Sequence, residues 1–312
     1  MPESLHRTGV RLYRFGLYWG GIIASAMAHC ADSKVLIHAA ALAFFTLFSI
    51  APVMIVAVAV AGLILGEAAA EGRLLNQLTE MIGPEAAEFV ETAVLNIQFD
   101  AGGWLPTLIG VIAILIGATT VFAQMQQSLN VVWDVVRKPT RSGLYILLKN
   151  RLLSLTIVLS IGFILLMSLF LSVVLQAVLS FADQWIPLNA TAVFWLELAV
   201  SLSVMTLLFA TIFKVLPEVR LLWSDVWLGA LITALLFFLG RFLMARYLTS
   251  LAIASAYGAA GSMVMFLLWV QYSSLVLLIG AAVARAQMEA RGRPIRPKAT
   301  AMAVRKELID ER

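Results

Sequence analysis

The stretch Tyr257–Gln287, YGAAGSMVMFLLWVQYSSLVLLIGAAVARAQ, decides the fold. From Ala259 to Ala284 it runs 26 residues without a charge, and the first basic residue is Arg285. About 20 such residues cross a bilayer as a helix. A surface helix of a water-soluble domain needs a polar face and could not stay uncharged over this length. The rest of the chain agrees. Of 312 residues, 62% are hydrophobic and 13% charged, against roughly 25% charged in soluble domains.

Working outward from that segment, five more apolar runs are expected to span the membrane. With the opening stretch they give approximate spans at 36–66, 104–127, 152–179, 192–213, 226–247 and 259–284. The first is too long for a cleaved leader peptide and lacks a small-residue cleavage pattern. It contains Pro52, which removes one helical hydrogen bond and predicts a kink. The fifth is interrupted by Arg241 and is the least regular. The expected fold class is therefore an all-α integral membrane protein, a bundle of about six transmembrane helices. Residues 1–35 form an amino-terminal segment, 36–286 the membrane domain, and 287–312 a basic tail.

Basic residues assign the sides. With the amino terminus inside, 19 of the 22 lysines and arginines fall on the inner side, leaving Arg73, Arg241 and Arg246 outside. The positive-inside rule then puts both termini in the cytoplasm. The net charge of +4 is spread as a topology signal, so nucleic acid is not an expected partner. The tail is read as solvated, with anionic lipid headgroups within its reach. Membrane lipids are the expected partners. Small residues in GAAGS (Gly258–Ser262) and LLIGAA leave room for close helix packing, within one chain or in a homo-oligomer.

The loop 67–103 differs from the others. It carries seven acidic residues and one basic one. LLNQLTEMIG and EAAEFVETAVLNI each repeat apolar residues at helical spacing, and Pro84 suits the first turn of the second. A pair of external amphipathic helices is expected, lying on the bilayer or, given their acidic face, packing on the bundle.

Polar residues inside apolar spans are the candidate functional positions. Glu197 and Arg241 each lie below the outer end of their spans, and an unpaired charge there is costly. Pairing between neighbouring antiparallel helices, or a hydrated cavity, is the expectation; an ion pair at headgroup level is the structural alternative. A second set gathers toward the inner side: His38, Gln124, Gln126, Gln127, Asn130 and, midway along the last span, Gln271. Amides at such positions also serve simply to bind helices together. The single cysteine, Cys30, excludes an internal disulfide. Cys30, His29 and His38 lack the ligand spacing of a metal site, and no metal, cofactor or catalytic residue is assigned. Hydrolase and phosphate-loop motifs are absent.

Four segments together resemble the YihY/BrkB family of bacterial inner-membrane proteins. They are AAALAFFTLFSIAPVMI (Ala39–Ile55), SLNVVWDV (Ser128–Val135), FKVLPEVRLLWSDVWLGALITALLF (Phe213–Phe237) and the last-span stretch, where Tyr272 follows Trp269. The resemblance covers about 250 residues in the same order. It implies a multi-pass protein of the bacterial inner membrane, in a family linked to the envelope and suspected of transport. The older ribonuclease label of that family gains no support here, since a phosphodiesterase needs metal ligands or an acid–base pair near solvent. The expected function is a transporter or envelope-associated protein handling a small solute, ion or lipid. The alternatives are a non-transporting scaffold or assembly factor and, further off, an enzyme acting on lipid headgroups.

Overall fold

A computed structural model describes residues 3–65, 76, 79, 84–95, 104–138, 190–250 and 261–304. Along the described chain run α1 (Glu3–Asp32), α2 (Val35–Leu65), α3 (Pro84–Leu95), α4 (Trp104–Val132) and β1 (Val135–Arg137). They are followed by α5 (Ala190–Val215), α6 (Trp223–Ser250), α7 (Gly261–Ala290) and β2 (Ala301–Ala303). The protein is an all-α membrane protein. Four of the described helices are long and apolar enough to cross a membrane, through Val35–Ile55, Leu198–Val215, Trp223–Met244 and Met263–Ala290. The span expected at 152–179 lies outside the described residues.

Uniform apolarity explains why α2 needs neighbours on one side and lipid on the other. Ala39, Leu42 and Ala43 are buried, whereas Leu36, Ile37, Phe44 and Phe48 are exposed. The helix continues unbroken through Pro52. The proline ring rests on α4 at Gly117, where an added Cβ would come within 2.8 Å of Pro52 Cγ. Arg241, the residue that weakened the fifth expected span, lies within a single 28-residue helix, α6.

α7 is the central element, packing on α1, α2, α3, α4 and α6. Its contact with α6 is set by missing side chains. A Cβ at Gly229 would fall 2.3 Å from Gly280 O, and one at Gly280 would fall 1.7 Å from Thr233 Oγ1. Further along, Gly240 lies under the Tyr272 ring, and the Tyr272 hydroxyl donates to Leu236 O at 2.6 Å. The glycine of LLIGAA, Gly280, therefore packs inside the chain. Around this seam Phe209, Phe237 and Trp269 stack edge-on in series.

α3 matches the second expected loop helix. It begins at Pro84 and buries Ala87 and Val90. Phe89 meets Phe266 with ring centroids 5.4 Å apart. Val90 clusters with Met54 of α2 and Phe266 of α7. The helix packs on protein, and its exposed Glu88 and Glu91 face away. The first loop helix, expected over 74–83, lies outside the described residues apart from helical Asn76 and Thr79.

The terminal segments, to which the sequence reading assigned no secondary structure, are built into the fold as far as they are described. The amino-terminal segment is a 30-residue helix, α1, that packs on α7 through Ile22, Ala26, Val283 and Ala286. The tail, read as solvated, is docked as far as it is described. α7 runs past the expected end of its span to Ala290, and Gly292 turns the chain at φ +67, a conformation glycine adopts without steric cost. The chain then returns so that β2 pairs antiparallel with β1, Val135 facing Ala303. Charge-rich composition suggested solvation; the missing information was that the bundle offers these residues carboxylates and a free strand edge.

Candidate functional site

At one end of the bundle, here called its base, meet the α1–α2 junction, the end of α4, the α5–α6 turn and the end of α7. Four acidic residues, Asp134, Glu218, Asp225 and Glu289, hold these pieces together.

Arg285 is the centre of the first knot. Its side chain is 10% exposed. It pairs with Asp134 Oδ2 at 2.7 Å and Glu289 Oε1 at 2.8 Å, and donates to Val132 O at 2.6 Å. Glu289 also accepts from His29 Nε2 of α1 at 2.7 Å. Asp134 adopts φ 47, a left-handed conformation that aspartate tolerates better than most residues. That turn ends α4 and starts β1, and Asp134 O accepts from Val304 N at 2.8 Å. Three acceptors around one planar, permanently charged fork suit arginine and not lysine.

Glu218, in the turn after α5, is the second. Its carboxylate is 5% exposed and is fully engaged. Arg137 Nε donates to Oε1 at 2.7 Å and Thr300 Oγ1 to Oε2 at 2.8 Å. Its backbone N donates to Asn130 Oδ1 at 2.8 Å, and its carbonyl accepts from Lys298 N. Gln126 completes the arrangement by donating to Leu216 O and accepting from Arg137. Lys298 Nζ donates to Val215 O at 3.0 Å. Burial pushes its pKa below the ordinary lysine value, while the charge of Glu218 pulls the other way.

Asp225 forms the third knot. As the third residue of α6 it accepts from Leu222 N at 3.0 Å, the acidic half of a capping box. It also pairs with Arg293 from the tail. Beside it Lys214 Nζ lies 4.3 Å from the centre of the Trp223 ring, a cation–π contact across the α5–α6 turn.

Of the inner polar set, Gln126 and Asn130 enter this arrangement. His38 faces Ser128 of α4, Nδ1 to Oγ 3.4 Å. Gln124 is half-buried, Gln127 exposed, and Gln271 half-buried midway along α7; these three remain outside the knots. At the other end, α5 and α6 form an antiparallel hairpin. Glu197 and Arg241 lie equally many residues from its turn, at roughly 27 Å for a rise of 1.5 Å per residue. Arg241 is exposed. Glu197 is helical, and its side chain lies outside the described set. Among the described residues no three His, Cys, Asp or Glu side chains converge as a metal would require.

Sequence reasoning missed the acids of the base. It counted the basic residues as a sidedness signal and left their counterions out. The usable signal was that Asp134, Glu218, Asp225 and Glu289 lie on the short polar segments that also carry the basic residues, although only Glu289 shares a segment with the arginine it binds.

Apolar spans around a central helix, with ions gathered at one end, define an integral helical membrane protein. The chain belongs to the family described as Virulence factor BrkB, which matches residues 26–304. It is similar to a UPF0761 membrane protein of Pseudomonas paraeruginosa, 27% identical over 247 residues, 78% of this chain and 57% of the relative. A UPF0761 membrane protein of Mannheimia succiniciproducens is 24% identical over 260 residues, covering 80% of this chain and 83% of that relative. The chain thus spans little more than half of the Pseudomonas relative's length. No solved structure matches the chain.

Proposed function

We propose that this protein is a multi-pass transporter of the bacterial inner membrane, with both termini in the cytoplasm and the ion-paired base facing inward. The carrying observation is the α5–α6 hairpin. Glu197 and Arg241 lie equally many residues from its turn, each beyond a run of uncharged helix, which supports a matched depth for the two. About 27 Å from the turn lies near the far edge of a hydrocarbon core about 30 Å thick. Ionisable groups at such positions face one another, a cavity or the interface. In this reading they mark the outer entrance of a route for a small solute, an ion or a lipid. The sequence carries no nucleotide-binding motif, so the movement would be passive or coupled to an ion gradient. The 19-to-3 division of basic residues supports the orientation.

A specific observation favours a second reading, a membrane scaffold without transport. The base is built from mutually satisfied ions, an arrangement suited to holding segments in place. Reconstitution into sealed vesicles separates the two. Cation flux, pH-jump response and movement of a labelled phospholipid are measured for the wild type and Glu197→Gln. Transport through this entrance predicts flux in the wild type and at least a tenfold loss in a folded variant. Equal flux in both removes Glu197 from the mechanism; inactivity of the folded wild type throughout favours the scaffold.

A further inference from the structure

Between the last turns of α1, the start of α2 and the flank of α7 runs an open groove of about 530 Å³. Ile23 and Met27 line it from α1, Leu36 and Ile37 from α2, Leu275 and Ile279 from α7. Lys34 is the one charged residue of the lining. Ile23, Met27, Leu36 and Ile37 are each more than half exposed. A contiguous apolar surface of this kind is not left to water.

Two observations say what covers it. The groove is continuous with the lipid-facing side of a spanning helix. Ile37, Phe44 and Phe48 are all strongly exposed, and their spacing of seven and four places them on one face of α2. The α7 wall from Leu275 to Val283 extends it over about 12 Å of helix rise. The second observation is charge. Lys34 stands in the tight connection between α1 and α2, at φ 48. It is exposed and enters no ion pair among the described residues. Asp32, exposed two residues before it, disfavours a free phosphate dianion and leaves the singly charged phosphodiester as the fitting anion.

We propose that this groove is a phospholipid site: one acyl chain of a diacyl phospholipid from the leaflet at the base lies along α7, and its phosphate meets Lys34. The site rests on the membrane fold and not on transport, so loss or retention of flux in Glu197→Gln leaves it untouched.

The full chain is placed in nanodiscs of phosphatidylethanolamine containing phosphatidylglycerol with a diazirine in the acyl chain. After photolysis, adducts are mapped by peptide mass spectrometry. They are expected to concentrate on Met27, Leu36, Ile37 and Leu275, above the level at Phe44 and Phe48, which see bulk lipid. Lys34→Asn removes the charge but keeps a residue that accepts positive φ. It should lower groove adducts about fivefold, the worth of one basic residue near an anionic headgroup, with no change at Phe44. Ala31→Phe, which fills the groove from α1, should lower them independently. Excess inorganic phosphate should not compete. Groove labelling equal to that at Phe44 and indifferent to Lys34→Asn overturns the proposal. Competition by inorganic phosphate, or cross-links showing that a second copy covers Met27 and Ile37, overturns it equally.

Discussion

Arg285 is bound by the end of α4, by its own helix and, through Glu289, by His29 of α1. A guanidinium at 10% exposure is stable there because two carboxylates and a carbonyl answer it. Removing one member of a buried ion network costs more than the network gains over an apolar substitute, because the remaining charges are stranded. Arg285→Ala is therefore expected to destabilise by about 3 kcal/mol, a fall in melting temperature of roughly 5–10 °C in detergent. Arg285→Lys should fall between, since an ammonium cannot reach all three acceptors in one plane. A melting temperature for Arg285→Ala within a degree of wild type would show the network to be dispensable. Little of this was legible in the sequence, where Arg285 is merely the first charge after a long span. Partners 151 and 256 residues away leave no local trace; the partner four residues on, Glu289, does.

At the scale of elements the sequence was far more informative. Length and lack of charge picked out α2, α5, α6 and α7, the four described helices apolar enough to cross a membrane, because lipid demands continuous apolar helix; a helix, α4, also runs over the expected 104–127. The errors sit at the ends. α4 runs on to Val132 because Leu129 and Val132 are buried by the base, and α7 runs on to Ala290 because Arg285 and Glu289 bind within the protein. Polar residues ended the expected spans, yet they continue helices wherever protein replaces lipid. Glycine placement was legible as close packing but not as to partner. The α6–α7 seam now gives a directional test. In Gly229→Ala the new methyl meets backbone, Gly280 O, which cannot swing aside. Overpacking of this kind costs about 1–3 kcal/mol. Gly20→Ala on α1 is the counterpart. Nothing lies within 4 Å of its added Cβ, so the helix gains roughly 0.5–1 kcal/mol from the better helix former. Thermal melts of the two variants should move in opposite directions, and a shift of the same sign would contradict the seam.

For the molecule as a whole, the question is whether the base is a lock or a loose collection of contacts. The tail decides it. From Arg291 onward it supplies Arg293 to Asp225 and Thr300 to Glu218, and it completes a two-stranded ladder with β1. It also bridges Val219 through Pro297. Thus one segment closes the α5–α6 turn against the end of α4, and α7 carries that segment. Deleting residues 291–312 would leave Asp225 without its arginine and Glu218 with one cation in place of a cation and a hydroxyl. It would also open the edge of β1. Deleting residues 305–312 alone retains every one of these contacts. A lock predicts that the short deletion melts like the wild type while the long one loses several degrees and becomes sensitive to protease in the α5–α6 turn, near Arg220. A solvated tail predicts two deletions that behave alike. The comparison also bears on function, since a transporter whose inner gate includes this turn would change flux on losing the tail without losing its fold. Paired melting and vesicle-flux measurements on the two deletions therefore distinguish a structural clasp, in which stability falls and flux per folded molecule holds, from a gate, in which flux itself shifts.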